Sequence, residues 1–537
     1  MSNQKKYMPL IMGVAVAMGI FIGAKLNFAD RTEKIFAANS KKDKLNRLID
    51  YIDYEYVDQI NTDSIVDVTV NSILKNLDPH STYIPVKEYA ATAEDMRGRF
   101  VGIGVSFYVY KDTVTVIATI PGGPAEKAGL QGGDRILFAD DKALLGTDIS
   151  RDSITSALKG VLNSKVKLKV LRRGKPDLLQ FNLTRKEVPL VSVDAAYLLD
   201  NKIGYIKVNR FSETTYDEFK TALQKLTKQN IKSLVLDLRD NPGGYISAAE
   251  RILDELIPKG NLILITKNKS GNEERSYTKR NGLFENGDIY VLVNENSASA
   301  SEIIAGALQD NDKATIVGRR TYGKGLVQRE MSLGDGSAVR LTVARYYTPT
   351  GRSIQRPYEN GNRPNYYNEY KDRYTNGEML SADSISVNDS LRFVTPKGKV
   401  VYGGGGIIPD IFVSKDTSDV NETLSFVLRS GYLSFFIFEQ LEENRNAYND
   451  WTVEDFIVNF ETSDEMLEGF INYSRLNETN LDLSGYEDLM KHYMKATLAQ
   501  QLFGGEFFEQ IINQNDPMIQ KVLELHQELG LEIYEKD

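Results

Sequence analysis

The chain has no cysteine, only three histidines (His80, His492 and His526) and one tryptophan in 537 residues. Without cysteine there is no disulfide, no thiolate metal site, no cysteine nucleophile and no lipid attached through sulfur. With so few histidines, hydrolytic chemistry has little choice of the usual base. An excess of positive charge is also missing: the net charge is −9, which argues against a general nucleic-acid binder. Long apolar runs are scarce as well. The exception is the uncharged segment 7–24, preceded by Lys5 and Lys6. As a helix it would span about 27 Å, close to the roughly 30 Å of a bilayer core. No crisp small-x-small site follows, so an uncleaved membrane anchor is expected, with a cleaved signal peptide as the alternative. The basic flank places residues 1–6 in the cytoplasm and the rest beyond the membrane, on the periplasmic side of the cell envelope.

What is present is ordinary globular material, 41% apolar and 26% charged, long enough for several domains of roughly 150 residues. After the N-terminal segment, 1–30, residues 31–94 read as a small helical region. Leu45, Leu48, Ile49 and Ile52 recur at helical spacing, and Asp78-Pro79 marks a turn. Residues 95–187 read as short strands with turn signals, including a hairpin turning at Arg173-Gly174. Residues 188–412 alternate apolar runs ("KIGYIKV", "SLVLDL", "LILIT", "IYVLV", "ATIVG", "VRLTVARYY") with helical stretches, the pattern of an α/β domain. Residues 413–537 are acidic, aromatic and mostly helical, with no repeat and no catalytic motif. "YLSFFIFEQL" there is expected to be a core helix, being too short for a second span.

The stretch "VNENSASASEIIAGALQD" places Ser297, Ser299 and Ser301 at a strand-to-helix turn. Unpaired N–H groups and the helix dipole make such a turn suitable for a developing oxyanion, although the serines could equally do no more than cap the helix. A serine nucleophile needs a base, and no histidine is near in sequence. Lys324, in "TYGKGLVQ", lies 25 residues after Ser299, beyond a helix and a strand that could return it to the same sheet edge. A lysine acts as a base only when burial lowers its pKa from about 10.4. Gly323 and Gly325 allow close backbone approach, and Gln328 offers an uncharged partner for the amine. A surface lysine in a glycine turn is the plainer alternative. "LDLRDNPGGY" offers a second strand-to-helix turn whose glycines, Gly243 and Gly244, expose backbone N–H groups.

Together these pieces resemble the carboxyl-terminal processing, or tail-specific, serine proteases. "LDPHSTY", "GIGV", "GGPAEKAGLQGGDRI", "DLRDNPGG", "SASASEIIAGALQD", "GRRTYGKGLVQ", "YYTPTGRSIQ" and "GGIIPDI" stand in that family's order and cover roughly residues 45–412. The resemblance implies a crotonase-like β/α protease core, 188–412, with an inserted α+β PDZ domain, 95–187. It also implies Ser299 as nucleophile, Lys324 as base and Gln328 as its orienter. Oxyanion donors would be the N–H groups of Ala300, Gly243 and Gly244, and Gly102, Ile103 and Gly104 would form the PDZ carboxylate loop. An unstructured protein tail would dock there as an added strand and be cut by the core. No metal or organic cofactor is implied, and homo-oligomerisation stays open. The competing reading is a non-catalytic PDZ scaffold that only binds tails. A hydrolase of the α/β-hydrolase type lacks both G-x-S-x-G and a usable histidine.

Overall fold

The computed structural model describes residue 8 and residues 12–18, 40–110, 112–146, 149–415, 422–476 and 481–534. Most of the expected anchor falls outside the described residues. Among them, no helix is long and apolar enough to cross a membrane. The chain divides into two units, 1–76 and 77–537. In the first, helices Ser40–Glu55 and Thr62–Lys75 realise the expected helical spacing. The second helix is started by Asn61, whose side chain accepts from Ser64 N at 3.0 Å, an ordinary N-cap.

The second unit begins with "LDPHSTY". Strand Thr82–Ile84 pairs antiparallel with Ala338–Tyr347, a partner more than 250 residues away that local sequence cannot announce. The central sheet has six strands: Val193–Asp200, Ile203–Val208, Ser233–Asp237, Asp288–Val293, Ala314–Gly318 and Ile411–Phe412, in that spatial order. The first pair is antiparallel and the rest are parallel. A parallel sheet needs both faces covered, which explains the unbroken apolar runs in the sequence. One face carries Ile206, Leu234, Leu236, Val291 and Ile316 against helices Thr215–Thr227, Ile246–Leu256 and Ala300–Asp310. The other carries Tyr205, Val235, Tyr290, Leu292 and Val317 against Met518, Ile519 and Val522. Those three come from the last helix, Pro517–Tyr534, so the end of the C-terminal region is part of the protease core.

Residues 105–184 form a separate sheet, Val105–Tyr110, Thr113–Thr119, Arg135–Ala139, Lys165–Leu171 and Leu179–Thr184, with helix Arg151–Leu158 contributing Ile154 and Leu158 to its core. The chain enters through Arg99–Gly102 and leaves through Lys186–Pro189. These two strands pair antiparallel, with Gly102 opposite Lys186. The helices from Glu422–Ser430 to Gly505–Ile512 build a further core around Phe436, Phe456, Phe470, Met490 and Met494. "YLSFFIFEQL" lies in helix Tyr432–Asn444, with Leu433, Phe436, Ile437, Phe438 and Leu441 buried.

Candidate active site

Three adjacent parallel strands end side by side, and each feeds one loop of the site. Asp237 leads into the turn through Gly243-Gly244, Val293 into the serine turn, and Gly318 into the loop that carries Lys324. Open α/β sheets place their sites at these carboxyl ends.

The three serines separate by role. Ser297 and Ser301 are fully buried. Ser297 Oγ donates to Leu238 O at 2.8 Å, and Ser301 Oγ donates to Asn241 O at 2.9 Å. Both therefore tie the serine turn to the glycine turn. Ser299 alone is partly exposed, at the N-cap of Ala300–Asp310, with φ 56° and ψ −111°. A non-glycine residue at such a φ is strained and persists only when its surroundings hold it.

Much of that hold comes from Glu302, a residue the sequence reading passed over. Its buried carboxylate accepts from Ser299 N (2.9 Å), Lys324 N (2.9 Å), Gly323 N (2.7 Å) and Thr321 Oγ1 (2.6 Å). One carboxylate thus fixes the backbones of both Ser299 and Lys324. Burial pushes its pKa up, and these four donors oppose the rise. The Tyr346 hydroxyl sits between the same two segments, 3.1 Å from Ser299 O and 2.7 Å from Lys324 O.

Lys324 Nζ donates to Gln328 Oε1 at 2.7 Å, and Gln328 Nε2 donates to His80 O at 2.7 Å. The second bond sets the amide, so that its oxygen and not its nitrogen faces the amine. Burial, helped by the charge of Arg340, lowers the Lys324 pKa to about 8, against the pull of Glu302 and Asp78. His80 is placed by an Asp78-centred turn. Asp78 Oδ1 accepts from His80 N and Ser81 N, each at 2.9 Å, and from Thr342 Oγ1 at 3.0 Å. The His80 ring meets Tyr366 OH at 3.0 Å. Burial and the neighbouring Lys324 charge lower its pKa to about 3, so the imidazole is neutral.

Gly243 and Gly244 have φ of 100° and 149°, and neither has room for a Cβ. A Cβ on Gly243 would lie 2.8 Å from Ser299 Cβ and 2.9 Å from Ala300 N, so this turn lies directly against Ser299. The Gly243 N–H is already taken, donating to Asn241 Oδ1 at 2.9 Å. That corrects its expected place as a donor, and Gly244 and Ala300 remain. In the PDZ loop, Ile103 O accepts from Ala125 N at 2.8 Å and Gly104 O from Ile120 N at 3.0 Å, while Gly102 lies in the entry strand. With those carbonyls engaged, N–H groups are what the loop has left for a ligand. The adjoining strand Val105–Tyr110 is the edge of its sheet. Among the described residues, no cluster of histidines and carboxylates is arranged to hold a metal.

The profile of peptidase family S41 matches residues 202–367, and that of the PDZ domain matches 101–183. A family of unknown function (DUF8443) matches 423–504. The carboxy-terminal processing protease CtpA of Bacillus subtilis (strain 168) is 32% identical over 371 residues, 69% of this chain and 78% of that protein. The carboxy-terminal-processing protease of Bartonella bacilliformis is 33% identical over 56% of this chain and 69% of its own length. Among solved structures, the photosystem II D1 C-terminal processing protease aligns at 26% identity over 70% of this chain and 87% of its own, with a TM-score of 0.36. The chain is thus a serine-type peptidase with a PDZ domain. It belongs to peptidase family S41, among the carboxy-terminal processing proteases.

Proposed function

We propose that this enzyme captures the free C-terminus of an unstructured protein on its PDZ domain and cuts near that end with a Ser299–Lys324 dyad. The observation that carries the reading is the chain Lys324 Nζ, Gln328 Oε1, Gln328 Nε2, His80 O. It gives the amine a neutral partner, which orients it without restoring its charge, in a setting that already lowers its pKa. Neutral Lys324 removes the Ser299 Oγ proton as the oxygen attacks the scissile carbonyl. The tetrahedral oxyanion develops beside the N–H groups of Gly244 and Ala300. The lysine then returns the proton to the leaving amine, and water, activated by the same amine, releases the acyl group.

The tail carboxylate would be met by the N–H groups of the Gly102–Ile103–Gly104 loop, with the peptide added beside Val105–Tyr110. The apolar segment 7–24 would hold the enzyme to the membrane with its catalytic part on the periplasmic side. Ser299→Ala and Lys324→Ala are each expected to abolish cleavage of an unstructured peptide while melting within a few degrees of the parent. Full activity in either variant removes the dyad. An inactive parent would leave only the tail-binding scaffold.

A further inference from the structure

We propose that the C-terminal helical region is a strut that couples the PDZ domain to the oxyanion turn, with Asp516 and Arg239 as positioning residues for that turn. The proposal rests on the tail-capture reading above.

At one end the strut grips the PDZ sheet. The Phe435 ring packs on Tyr108 of the edge strand, centroids 4.1 Å apart. Arg173 donates to Glu442 O, and Arg135 Nη2 lies 4.0 Å from Glu442 Oε2. A cleft of about 350 Å³ separates Arg135, Arg172 and Arg173 on the PDZ side from Glu439, Glu442 and Glu443 on helix Tyr432–Asn444. The two faces are opposite in charge and attract one another.

At the other end the region reaches the active-site loops. Asp516 Oδ2 pairs with Arg239 Nη1 at 2.5 Å. Arg239 in turn clasps buried Asp237, with Nη2 to Oδ2 at 2.6 Å and Nε to Oδ1 at 3.0 Å. Asp237 ends its strand, and five residues beyond Arg239 stands Gly244. Lys207 Nζ to Glu509 Oε1 at 2.7 Å fastens the same helices beside it. Between the ends runs one apolar core, from Phe436 and Leu441 through Met490 and Met494 to Ile511. Packed interiors transmit displacement better than they absorb it. A tail seated beside Tyr108 and a substrate at Gly244 therefore bias the same rigid element, and each favours the position that suits the other.

The test uses the full chain and one unstructured peptide in two forms, with a free C-terminal carboxylate or a carboxamide. The parent is expected to cleave the acid form faster. Phe435→Ala combined with Glu442→Gln should reduce that preference roughly 3- to 30-fold while leaving carboxamide hydrolysis unchanged. Asp516→Asn should lower kcat on both forms by a similar factor with KM unchanged, and Asp516→Glu should recover most of the loss. A preference that survives the Phe435 and Glu442 changes overturns the strut alone. So does an Asp516→Asn effect confined to KM, or one that Asp516→Glu does not relieve. A parent with no preference for the acid form overturns tail capture, and the strut with it.

Discussion

At the scale of single residues, the site is organised around making one amine easier to deprotonate. With the Lys324 pKa near 8, kcat/KM should rise with pH and level off above an apparent pKa close to that value. A pH profile that is flat from 6 to 9 would contradict a lysine base. The sign for stability is the same. Between about 8 and the ordinary lysine value the unfolded chain holds a proton that the folded site has released, so the cost of burying this residue falls away as pH rises through that window. His80 acts alike at lower pH: neutral down to about 3 when folded, it weakens the fold as pH falls below 6.5. Much of this was legible in the sequence. The serine turn, the glycine-flanked lysine and Gln328 stand out as candidates by type and spacing, while their roles come from the family resemblance. Glu302 was legible in principle, because Ser299-x-x-Glu302 is a capping-box pattern. His80 and Tyr346 were not: one contributes a main-chain carbonyl and the other bridges two carbonyls, and neither role leaves a trace in the residue's neighbours along the chain.

Among the elements, the strand-to-helix turns carry the residues proposed for the chemistry. Gly244→Ala should be among the most damaging small changes, because its Cβ would meet Phe211 O at 2.0 Å. Backbone strain alone costs about 1–3 kcal/mol, and the N–H proposed to meet the oxyanion would be displaced. A fall in melting temperature together with a loss of kcat larger than that for Gly260→Ala, whose Cβ would meet nothing within 4 Å, is the expected result. The apolar runs that read as strands are strands, but "LILIT" and "VRLTVARYY" pair antiparallel with each other in a second sheet and are skipped by the order of the parallel one. What periodicity could not supply was the pairing of Thr82–Ile84 with Ala338–Tyr347, or the hydrogen bond that removes Gly243 from the donors. Both depend on contacts closed across long loops or within a turn whose exact shape composition does not set.

For the molecule as a whole, the C-terminal region is not a dispensable appendage. A chain ending at residue 415 would uncover Tyr205, Val235, Tyr290, Leu292 and Val317 on the second face of the parallel sheet. It should be insoluble when expressed, whereas removal of the PDZ domain should be tolerated. Replacing residues 103–185 by Asn-Gly would join Gly102 to Lys186 as a tight hairpin on a ladder that already exists. The shortened enzyme is expected to stay soluble and to lose discrimination between acid and carboxamide tails, as competition between the two peptides would report. The sequence made these regions visible as separate in composition but could not say which were separable, since that depends on whose apolar face covers whose. The ladder at Gly102 and Lys186 makes the domain it carries exchangeable. A foreign recognition module whose own termini lie side by side could be spliced in at that point, and on the proposed tail capture the cutting machinery would then be redirected to whatever end-group the graft reads.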